Sequence, residues 1–363
     1  MRILEILSGT TACGATVHTL QIAKELLRRG NELTLMVKPY GWSLEQAERL
    51  GIPTFPSRMK RFPFTDYLEA VRFCKQKQIE VILAHMSGAN NFAVVVGRIA
   101  RVPVVLRAHA HTVHPHWFFA HHIIAVSEQT RRYHITHNLV PPKRISTVHG
   151  FVDPERLTVP DKGVRQQVRS ELGLAPDAFV MAIIGNIIPR KGALYLVQAL
   201  PPVVAHYPNL RLLLVGVTHP ESYGVRVRQE IAKLGLELNV LWLGERRDVP
   251  NLLQAIDLYA LPTLNDMLPM ALLEAMWAGL PVLSTTAGGI PEAVRNGIEG
   301  WLVPPKNPEA LTQALLEILN NPEERARRAQ NAHQRVLESF TVGPQVAKIE
   351  AILQQVVAQY NQK

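Results

Sequence analysis

The segment Leu258–Glu292 reads LYALPTLNDMLPMALLEAMWAGLPVLSTTAGGIPE, and each of its ends reads as a buried strand that opens into a loop. Between them, Pro269 stands before an apolar run, at a place that suits the first position of a helix, where a missing N–H costs nothing. The segment therefore predicts a strand, a helix and a second strand. The helix begins at the exit of the first strand, and its unpaired amides favour an anion there, above all a phosphate.

Two carboxylates bracket this predicted helix start. Asp266 lies in the loop, and Glu274 lies eight positions later, inside the helix. A carboxylate beside a phosphate site repels the phosphate, so its own partner should be a neutral group. We therefore expect both carboxylates to bind hydroxyls of a sugar or a ribose. The alternative is a buried amphipathic helix after a polar loop, without a ligand.

The same alternation of short apolar strands and longer helices continues outward to both ends of the chain. Near-continuous apolar strands separated by helices of ten or more residues indicate parallel sheets covered on both faces. The strand-like runs are RILEIL, ELTLMV, VILA, PVVLRA, HIIAV and ISTV in the first half, and FVMAIIG, LRLLLVG, NVLWLG, DLYALP and PVLSTT in the second. We predict an α/β fold of two doubly wound Rossmann-like domains that face each other across a cleft, at the strand ends where such sheets bind ligands.

The stretch Asp153–Asp177 is rich in charge, proline and glycine, and it predicts a linker. We place the first domain at residues 1–160 and the second at 161–340. The remaining segment, 341–363, has apolar residues spaced three and four apart, which predicts a helix. We expect this helix to cross back to the first domain.

Composition limits the classes of function. The chain has 363 residues, of which 47% are hydrophobic and 19% charged, and its net charge is +9. It shows no apolar run long enough to cross a bilayer, no signal peptide at its start and only two cysteines, Cys13 and Cys74, so we expect a cytoplasmic protein. The positive charge suits phosphorylated substrates or an anionic membrane surface, and since no nucleic-acid-binding module is recognisable, we expect no nucleic acid partner.

Several phosphate-binding and catalytic motifs are missing. The sequence contains no GxGxxG, no GxxxxGK[ST], no GxSxG and no DxD. A phosphate site in this chain must therefore be built from backbone amides, cations and helix ends. An HxH pair, His109 and His111, lies among further histidines, but no carboxylate or cysteine stands nearby in sequence to complete a metal site, and we expect no metal.

Five segments resemble, in order, the motifs of family 4 retaining glycosyltransferases, which have the GT-B fold. They are CGATVHTLQIAKELLRRGNELTL (Cys13–Leu35), the segments VVLRAHAHT, HHIIAVSEQTRRY and ISTVHGFVD within Val104–Asp153, FVMAIIGNIIPRKGALYLVQAL (Phe179–Leu200), NVLWLGERRDVPNLLQAIDLYALPT (Asn239–Thr263), and the acid-x7-acid motif from Asp266. The resemblance implies transfer of a sugar with retention from a UDP- or GDP-linked donor to a glycan, a lipid-linked acceptor or a small molecule. It also implies that the first domain binds the acceptor and the second the donor, and that no cofactor or metal is needed.

The resemblance also assigns roles to single residues. Gly14 would let the backbone approach the donor, His109 would contact the donor sugar, and Lys191 would neutralise the diphosphate. Asp266 would bind sugar hydroxyls and Glu274 the ribose. The remaining donor-binding candidates are Asn186, Arg190, the backbone from Gly244 to Arg246, and the amides of Met267, Leu268 and Met270.

Three positions depart from the family pattern, and they leave alternatives open. Cys13 and Asn186 replace a glycine and an arginine, and Asp266 replaces the commoner glutamate; Arg190 could substitute for the missing arginine. One alternative is a nucleotide-sugar epimerase of the same fold, although no motif for its acid/base carboxylates is found in the first domain. The other is a nucleotide-binding scaffold that has lost catalysis.

One further segment carries two interpretations. Arg58, Lys60 and Arg61 lie beside Phe62 and Phe64, ahead of a predicted helix over Thr65–Lys77. Cations and aromatic rings together suit peripheral contact with an anionic membrane, at its inner face for a cytoplasmic protein. A solvated loop in a basic protein is the other interpretation.

Overall fold

In the computed structural model, which describes residues 1–60, 64–157 and 162–362, the chain divides into two compact units. The first contains Met1–Phe151 together with the C-terminal segment from Val342, and the second is Val152–Thr341. Each unit is an α/β domain with its own parallel sheet. The prediction of two doubly wound α/β domains is confirmed.

The first unit alternates strands and helices along the chain. Its strands are β1 (Arg2–Leu7), β2 (Glu32–Val37), β3 (Thr54–Pro56), β4 (Val81–His85), β5 (Val104–Ala108), β6 (His122–Ala125) and β7 (Ile145–Thr147). Its helices are α1 (Gly14–Arg28), α2 (Trp42–Arg49), α3 (Thr65–Gln76), α4 (Ser87–Ala100), α5 (His116–Phe119), α6 (Glu128–His137) and the C-terminal helix Val342–Asn361.

The first sheet has the order β3-β2-β1-β4-β5-β6-β7, and all neighbours are parallel. One face is covered by α1 and the C-terminal helix, whose apolar residues join the same core as Ile3 and Leu7 of β1. The other face is covered by α3 and α4. Because both faces are buried, the central strands are almost wholly apolar.

The second unit repeats the plan. Its strands are β8 (Val180–Ile184), β9 (Arg211–Val215), β10 (Val240–Gly244), β11 (Leu258–Leu261), β12 (Val282–Thr285) and β13 (Trp301–Val303). Its helices are α7 (Lys162–Glu171), α8 (Ala193–His206), α9 (Glu221–Lys233), α10 (Val249–Ala255), α11 (Met270–Trp277), α12 (Ile290–Ala293), α13 (Pro308–Asn320) and α14 (Pro322–Ser339). The sheet order is β10-β9-β8-β11-β12-β13, again parallel throughout.

Two details differ from the sequence-based predictions. The stretch predicted as a linker contains α7, because Val168 and Leu174 pack into the core of the second unit. The first unit also ends at Phe151 rather than at residue 160, since Val152 forms a bridge with Thr341 inside the second unit. The C-terminal helix belongs to the first unit, where it packs on α1.

Two findings concern a membrane. No helix in the described part of the chain combines the length and the apolar character that a bilayer span requires. Of the segment with two interpretations, Arg61 and Phe62 lie outside the described residues. Arg58, Lys60 and Phe64 are exposed.

Candidate active site

The order of strands in the second sheet places its switch point between β8 and β11, where chain connections leave in opposite directions. Ligands of doubly wound sheets bind outside the carboxyl ends of the strands at such a point. The loop after β8 leads through Asn186, Arg190 and Lys191 to α8, and the loop after β11 carries Asp266 to α11. The residues of both loops that are candidates for binding the sugar donor therefore lie at one switch point. Asn186 is exposed there.

Two cations and one carboxylate form a cluster there. Lys191 Nζ lies 2.6 Å from Asp266 Oδ2, and Arg190 Nη1 lies 3.0 Å from the same oxygen. Arg190 also donates to the backbone carbonyl of Asn265 at 2.8 Å. The Lys191 and Asp266 side chains are each 12% exposed and the Arg190 side chain 45%, so the cluster opens on the Arg190 side. With two positive charges against one negative charge, it retains an excess of positive charge that attracts an anion.

The helix that follows Asp266 starts one residue later than predicted. Pro269 is the N-cap of α11 rather than its first residue, with φ −75° and ψ 130°, and Met270 begins the helix. The prediction of proline at the first helical position is wrong by that one residue, since its extended ψ is the N-cap conformation. Met267 is half-buried and Leu268 is buried, so this loop is packed against the unit rather than projecting from it.

Two glycines hold the loops of the cluster in place. Gly288 has φ +65°, and a side chain there would collide with the backbone of Asp266, to which the neighbouring Gly289 N–H donates at 2.8 Å. Gly192 has φ +76°, and a side chain there would collide with the carbonyl of Pro262. Both positions need glycine for its conformation and for the close approach of two loops.

Glu274 lies inside α11, near Tyr259 of β11. Burial raises the pKa of Glu274, and Arg156 opposes that rise. Burial also raises the pKa of Tyr259 well above its usual value, and the charges of Asp266 and Glu274 add to this effect. The two carboxylates of the acid-x7-acid motif therefore act on one buried side chain, which places both at the same end of the sheet.

The loop after β10 lies at the same edge of the sheet. Gly244 ends β10 with φ +68° and accepts a hydrogen bond from Gly216 N–H at 2.7 Å. Arg246 is held by Asp248 at 2.8 Å and by Glu171 of α7 at 2.7 Å, so its side chain ties this loop to α7. Because β9 and β8 separate β10 from β11, the loop lies roughly 10–15 Å from the switch point, which suits a ligand longer than a diphosphate.

The first sheet has its own switch point, between β1 and β4. Gly14 is exposed and begins α1 after β1, and His85 ends β4. His109 follows β5, the next strand, and is half-buried. His85 Nδ1 and His109 Nε2 are 3.3 Å apart. Desolvation lowers the pKa of His109 well below its usual value, and the charge of Arg107 lowers it further, so His109 is neutral near pH 7.

The other histidines after β5 have separate partners. His111 stacks on Tyr133, His116 Nδ1 lies 2.8 Å from Asn91 Oδ1, and His122 Nε2 lies 2.9 Å from Ser146 Oγ. Among the described residues, no three or more histidines, cysteines or carboxylates are grouped so that they could hold a metal ion.

Two family models match the chain in succession. The model described as Glycosyltransferase Family 4 matches residues 12–156, and the model described as Glycosyl transferases group 1 matches residues 164–335.

The chain belongs to the group 1, family 4 glycosyltransferases.

Two proteins of similar sequence also carry glycosyltransferase names. The chain is 27% identical over 245 residues to a D-inositol 3-phosphate glycosyltransferase of Corynebacterium glutamicum, covering 66% of this chain and 58% of that protein. It is 24% identical over 307 residues to a UDP-Gal:alpha-D-GlcNAc-diphosphoundecaprenol alpha-1,3-galactosyltransferase of Escherichia coli, covering 77% and 76%. The chain thus spans little more than half the length of the Corynebacterium relative.

A solved structure extends the likeness to the whole chain. HepE of Anabaena, in complex with UDP and glucose, has a TM-score of 0.88 at 24% identity, and the match covers 98% of this chain and 99% of that one. The fold of the chain is therefore the GT-B fold of these glycosyltransferases.

The structure also shows a group of buried polar residues that the family motifs did not identify. Glu5 and Arg107 lie in the first sheet beside His85, and all three are fully buried. The signal in the sequence is a single polar residue within the buried part of each of three strands, RILEIL, VILAH and VVLRA. A polar residue in such a strand is informative because burying it is costly unless it is paired.

Proposed function

We propose that the protein transfers a sugar from a nucleotide-diphospho-sugar to a glycan or lipid-linked acceptor, with retention of configuration and without a metal ion. The second unit binds the donor and the first unit binds the acceptor. The observation that carries the proposal is the cluster of Arg190, Lys191 and Asp266 next to the start of α11. Cations and free helix amides at a switch point are suited to a diphosphate.

The names of the relatives suggest which donor to test first. HepE was solved with UDP and glucose, and the Escherichia coli relative is named for UDP-Gal and a diphosphoundecaprenol-linked acceptor. We therefore infer a UDP-linked donor for this chain, with a GDP-linked donor as the second choice. The acceptor class we infer is a hydroxyl of a glycan or of a lipid-linked sugar.

Each site residue then has a task in the reaction. Breaking the bond between sugar and diphosphate leaves negative charge on the diphosphate, which Lys191, Arg190 and the amides of the α11 start stabilise. Both cations contact Asp266 Oδ2, so Oδ1 is the oxygen that can accept from a sugar hydroxyl. Glu274 accepts from the ribose hydroxyls, and His109 contacts the sugar. We assign no enzyme nucleophile.

Lipid-linked acceptors make a membrane surface relevant. Phe64 and Leu68 are 58% and 52% exposed, and Arg72 and Lys75 follow them at helical spacing on the exposed side of α3. We propose that this face contacts anionic membranes weakly, because aromatic rings and cations together favour the headgroup region.

A binding experiment tests the donor proposal. Melting temperatures of the protein would be measured with UDP, GDP, ADP and uridine, each with and without EDTA, because a ligand that binds only the folded state raises the melting temperature. We expect one nucleoside diphosphate to raise it, and uridine to raise it much less. No shift with any diphosphate, or a shift that EDTA removes and a divalent ion restores, would contradict the proposal.

A second readout separates the alternatives. The protein would be incubated with the UDP- or GDP-sugar of the preferred base, and nucleotide release and sugar identity would be followed. A transferase would release nucleotide by transfer or by slow hydrolysis, and the released or transferred sugar would be the same isomer as in the donor. Formation of an isomeric sugar would indicate an epimerase, and binding without release would indicate a scaffold without catalysis.

A further inference from the structure

A line of polar side chains crosses the first sheet on the face that α1 covers. Glu5 of β1 and His85 of β4 lie on this face, with Arg107 of β5 opposite His85 in register. All three are fully buried, whereas His109, two residues after Arg107, is only partly buried. The line therefore runs from the middle of an apolar core to a side chain at the carboxyl edge of the sheet.

The distances between these side chains favour shared protons. His85 Nε2 lies 2.7 Å from Glu5 Oε1, and His85 Nδ1 lies 3.3 Å from His109 Nε2. The carboxyl group and the ring N–H are not well aligned, so only the short distance supports a hydrogen bond at the first contact. A proton between nitrogen and oxygen is the arrangement that this distance favours, since two lone pairs that face each other at 2.7 Å would repel.

Two arrangements of the protons are possible, and they differ at His109. If Glu5 is ionised, His85 donates from Nε2 and accepts at Nδ1; His109 then donates from Nε2, and its outer nitrogen, Nδ1, is an acceptor. If Glu5 is a neutral acid, it donates to His85 Nε2 and His85 donates from Nδ1. His109 Nε2 then accepts, and His109 Nδ1 carries a proton.

Burial favours the neutral acid. Desolvation raises the pKa of Glu5 well above its usual value, and the charge of Arg107 opposes that rise without cancelling it. Among the described residues, neither carboxyl oxygen of Glu5 has a well-aligned hydrogen-bond donor, and an ionised carboxylate in such a place would be costly. On the neighbouring strand β2, the residue opposite Glu5 is the apolar Leu35.

The charged and titratable groups around the line keep both of its imidazoles neutral. Desolvation lowers the pKa of His85 well below its usual value, and Arg107 of β5 and His18 of α1 lower it further. Arg107 itself remains a cation, because burial lowers its pKa only to about 10. Because both rings are neutral, the protonation state of the Glu5 carboxyl group decides which nitrogen of His85, and then of His109, carries the proton.

We propose that Glu5 and His85 are positioning residues that fix the tautomer of His109, so that His109 presents Nδ1–H as a hydrogen-bond donor to the substrate. The inference rests on the proposed contact between His109 and the donor sugar, and it adds the direction of that contact. The ligand atom opposite His109 Nδ1 is then an oxygen acceptor, such as a sugar hydroxyl oxygen, rather than a hydroxyl proton.

The tautomer itself can be measured without any activity. Ring nitrogen shifts of 15N-histidine-labelled protein distinguish Nδ1–H from Nε2–H, and the His109 signal is assigned by its loss in His109→Gln. We expect Nδ1–H in the wild type and in Glu5→Gln, whose amide still donates to His85 Nε2. We expect a mixture in Glu5→Leu. An Nε2–H tautomer in the wild type would overturn the proposal even if the protein proves to be an active transferase.

Activity then tests whether the tautomer matters. Glu5→Gln should retain kcat, and Glu5→Leu should lose about ten-fold, the effect of one misdirected hydrogen bond. Leu7→Val is the matched control, because Leu7 lies on the same face of β1 in the same core but outside the chain of shared protons. It should lower stability without altering the His109 shifts.

The pH profile gives a readout that a merely structural role would not change. The wild type should lose kcat as the pH rises through the raised pKa of Glu5, because ionised Glu5 reverses the direction of both hydrogen bonds and leaves His109 Nδ1 without a proton. Glu5→Gln should lack this loss. If Glu5→Leu is too unstable for kinetics, the comparison of wild type with Glu5→Gln still decides. Equal losses in Glu5→Gln and Glu5→Leu, or identical pH profiles in wild type and Glu5→Gln, would overturn the proposal.

Discussion

The switch points of the two sheets differ in how far their ionisable side chains are exposed to solvent. In the second unit, the Arg190 side chain is 45% exposed and those of Lys191 and Asp266 are each 12% exposed, and their ion pairs lie at the edge of the sheet. In the first unit, Glu5 and His85 lie beneath the edge with no exposure, and only His109 reaches the surface. In the second unit, a bound anion can replace Asp266 as the partner of Lys191 and Arg190. In the first unit, the groups are neutral, so His109 can offer a bound molecule only an uncharged hydrogen bond.

This difference follows from solvation. An ion pair at a partly exposed edge costs less to open than a fully buried one, since water or an incoming phosphate can replace the lost partner. A buried pair costs much more to open, so its groups shift toward their neutral forms instead. The second unit is thus suited to hold a diphosphate, and the first to orient a neutral part of the substrate. The predictions below address each side of this comparison.

The largest effect is expected at Lys191. Lys191→Ala should weaken binding of the preferred nucleoside diphosphate by about a hundred-fold, since charged hydrogen bonds contribute up to about 3 kcal/mol. Arg190→Ala should weaken it less, because the Arg190 side chain is more exposed and also bonds to Asn265. Isothermal titration with Lys233→Ala as the control for lost charge would measure this. A larger loss in Arg190→Ala would reverse the ranking.

A smaller effect with a defined pH dependence is expected at Glu274. Glu274→Gln should weaken nucleotide binding by about ten-fold at alkaline pH, where the ionised carboxylate accepts from the ribose. Because burial raises the pKa of Glu274, the wild type should lose this advantage as the pH falls through that raised value. The nucleotide phosphate also titrates, so the difference between wild type and variant is the quantity to plot. A constant difference across pH would contradict the ribose assignment.

Asp266→Asn should separate binding from transfer. Removing its negative charge leaves Lys191 and Arg190 with more unbalanced positive charge, so the nucleoside diphosphate should bind as tightly as before or somewhat tighter. Transfer should fall about five-fold because the neutral amide oxygen accepts a weaker hydrogen bond from a sugar hydroxyl than the carboxylate does. If transfer and nucleotide affinity fall together, Asp266 serves only to hold the two cations.

The smallest effect is expected at the membrane. The protein should sediment with phosphatidylglycerol-containing vesicles and less with pure phosphatidylcholine, and added salt should release it. Replacing Arg72 and Lys75 by glutamine should reduce this binding by a few-fold, whereas replacing Arg226 and Lys233 of the second unit should not. Equal binding to both vesicle types would leave a solvated surface as the interpretation of α3.

The sheets were predictable because their signal is local. The run VMAII is apolar throughout and RLLLV is apolar after its first residue, and each is followed by a helix, so type and order could be assigned from the sequence alone. The helix at Lys162–Glu171 was missed because Val164 and Val168 are its only large apolar residues, among many charged and polar ones. A single apolar stripe of this kind is a weak local signal, and tertiary packing decides its structure.

The candidate site was predictable in part for a similar reason. Lys191, Asp266 and Glu274 stand in continuous motifs, whereas the ion pair of Lys191 with Asp266 joins residues 75 positions apart. Glu5, His85 and Arg107 come from three strands, and only the strand order β1-β4-β5 brings them to one face. Their joint effect depends on burial and register, which no single motif contains.

The central claim is that the accessible cation cluster of the second unit supports cleavage of a nucleotide-sugar bond without a metal. The most direct measurement is the time course of nucleotide release from UDP-glucose and GDP-mannose with EDTA present, with proton NMR of the anomeric signal of the first sugar formed. We predict that one donor releases its nucleotide, that the first sugar retains the configuration of the donor, and that Lys191→Ala abolishes the release. Nucleotide binding without release from either donor, or release that requires a divalent ion, would contradict the account.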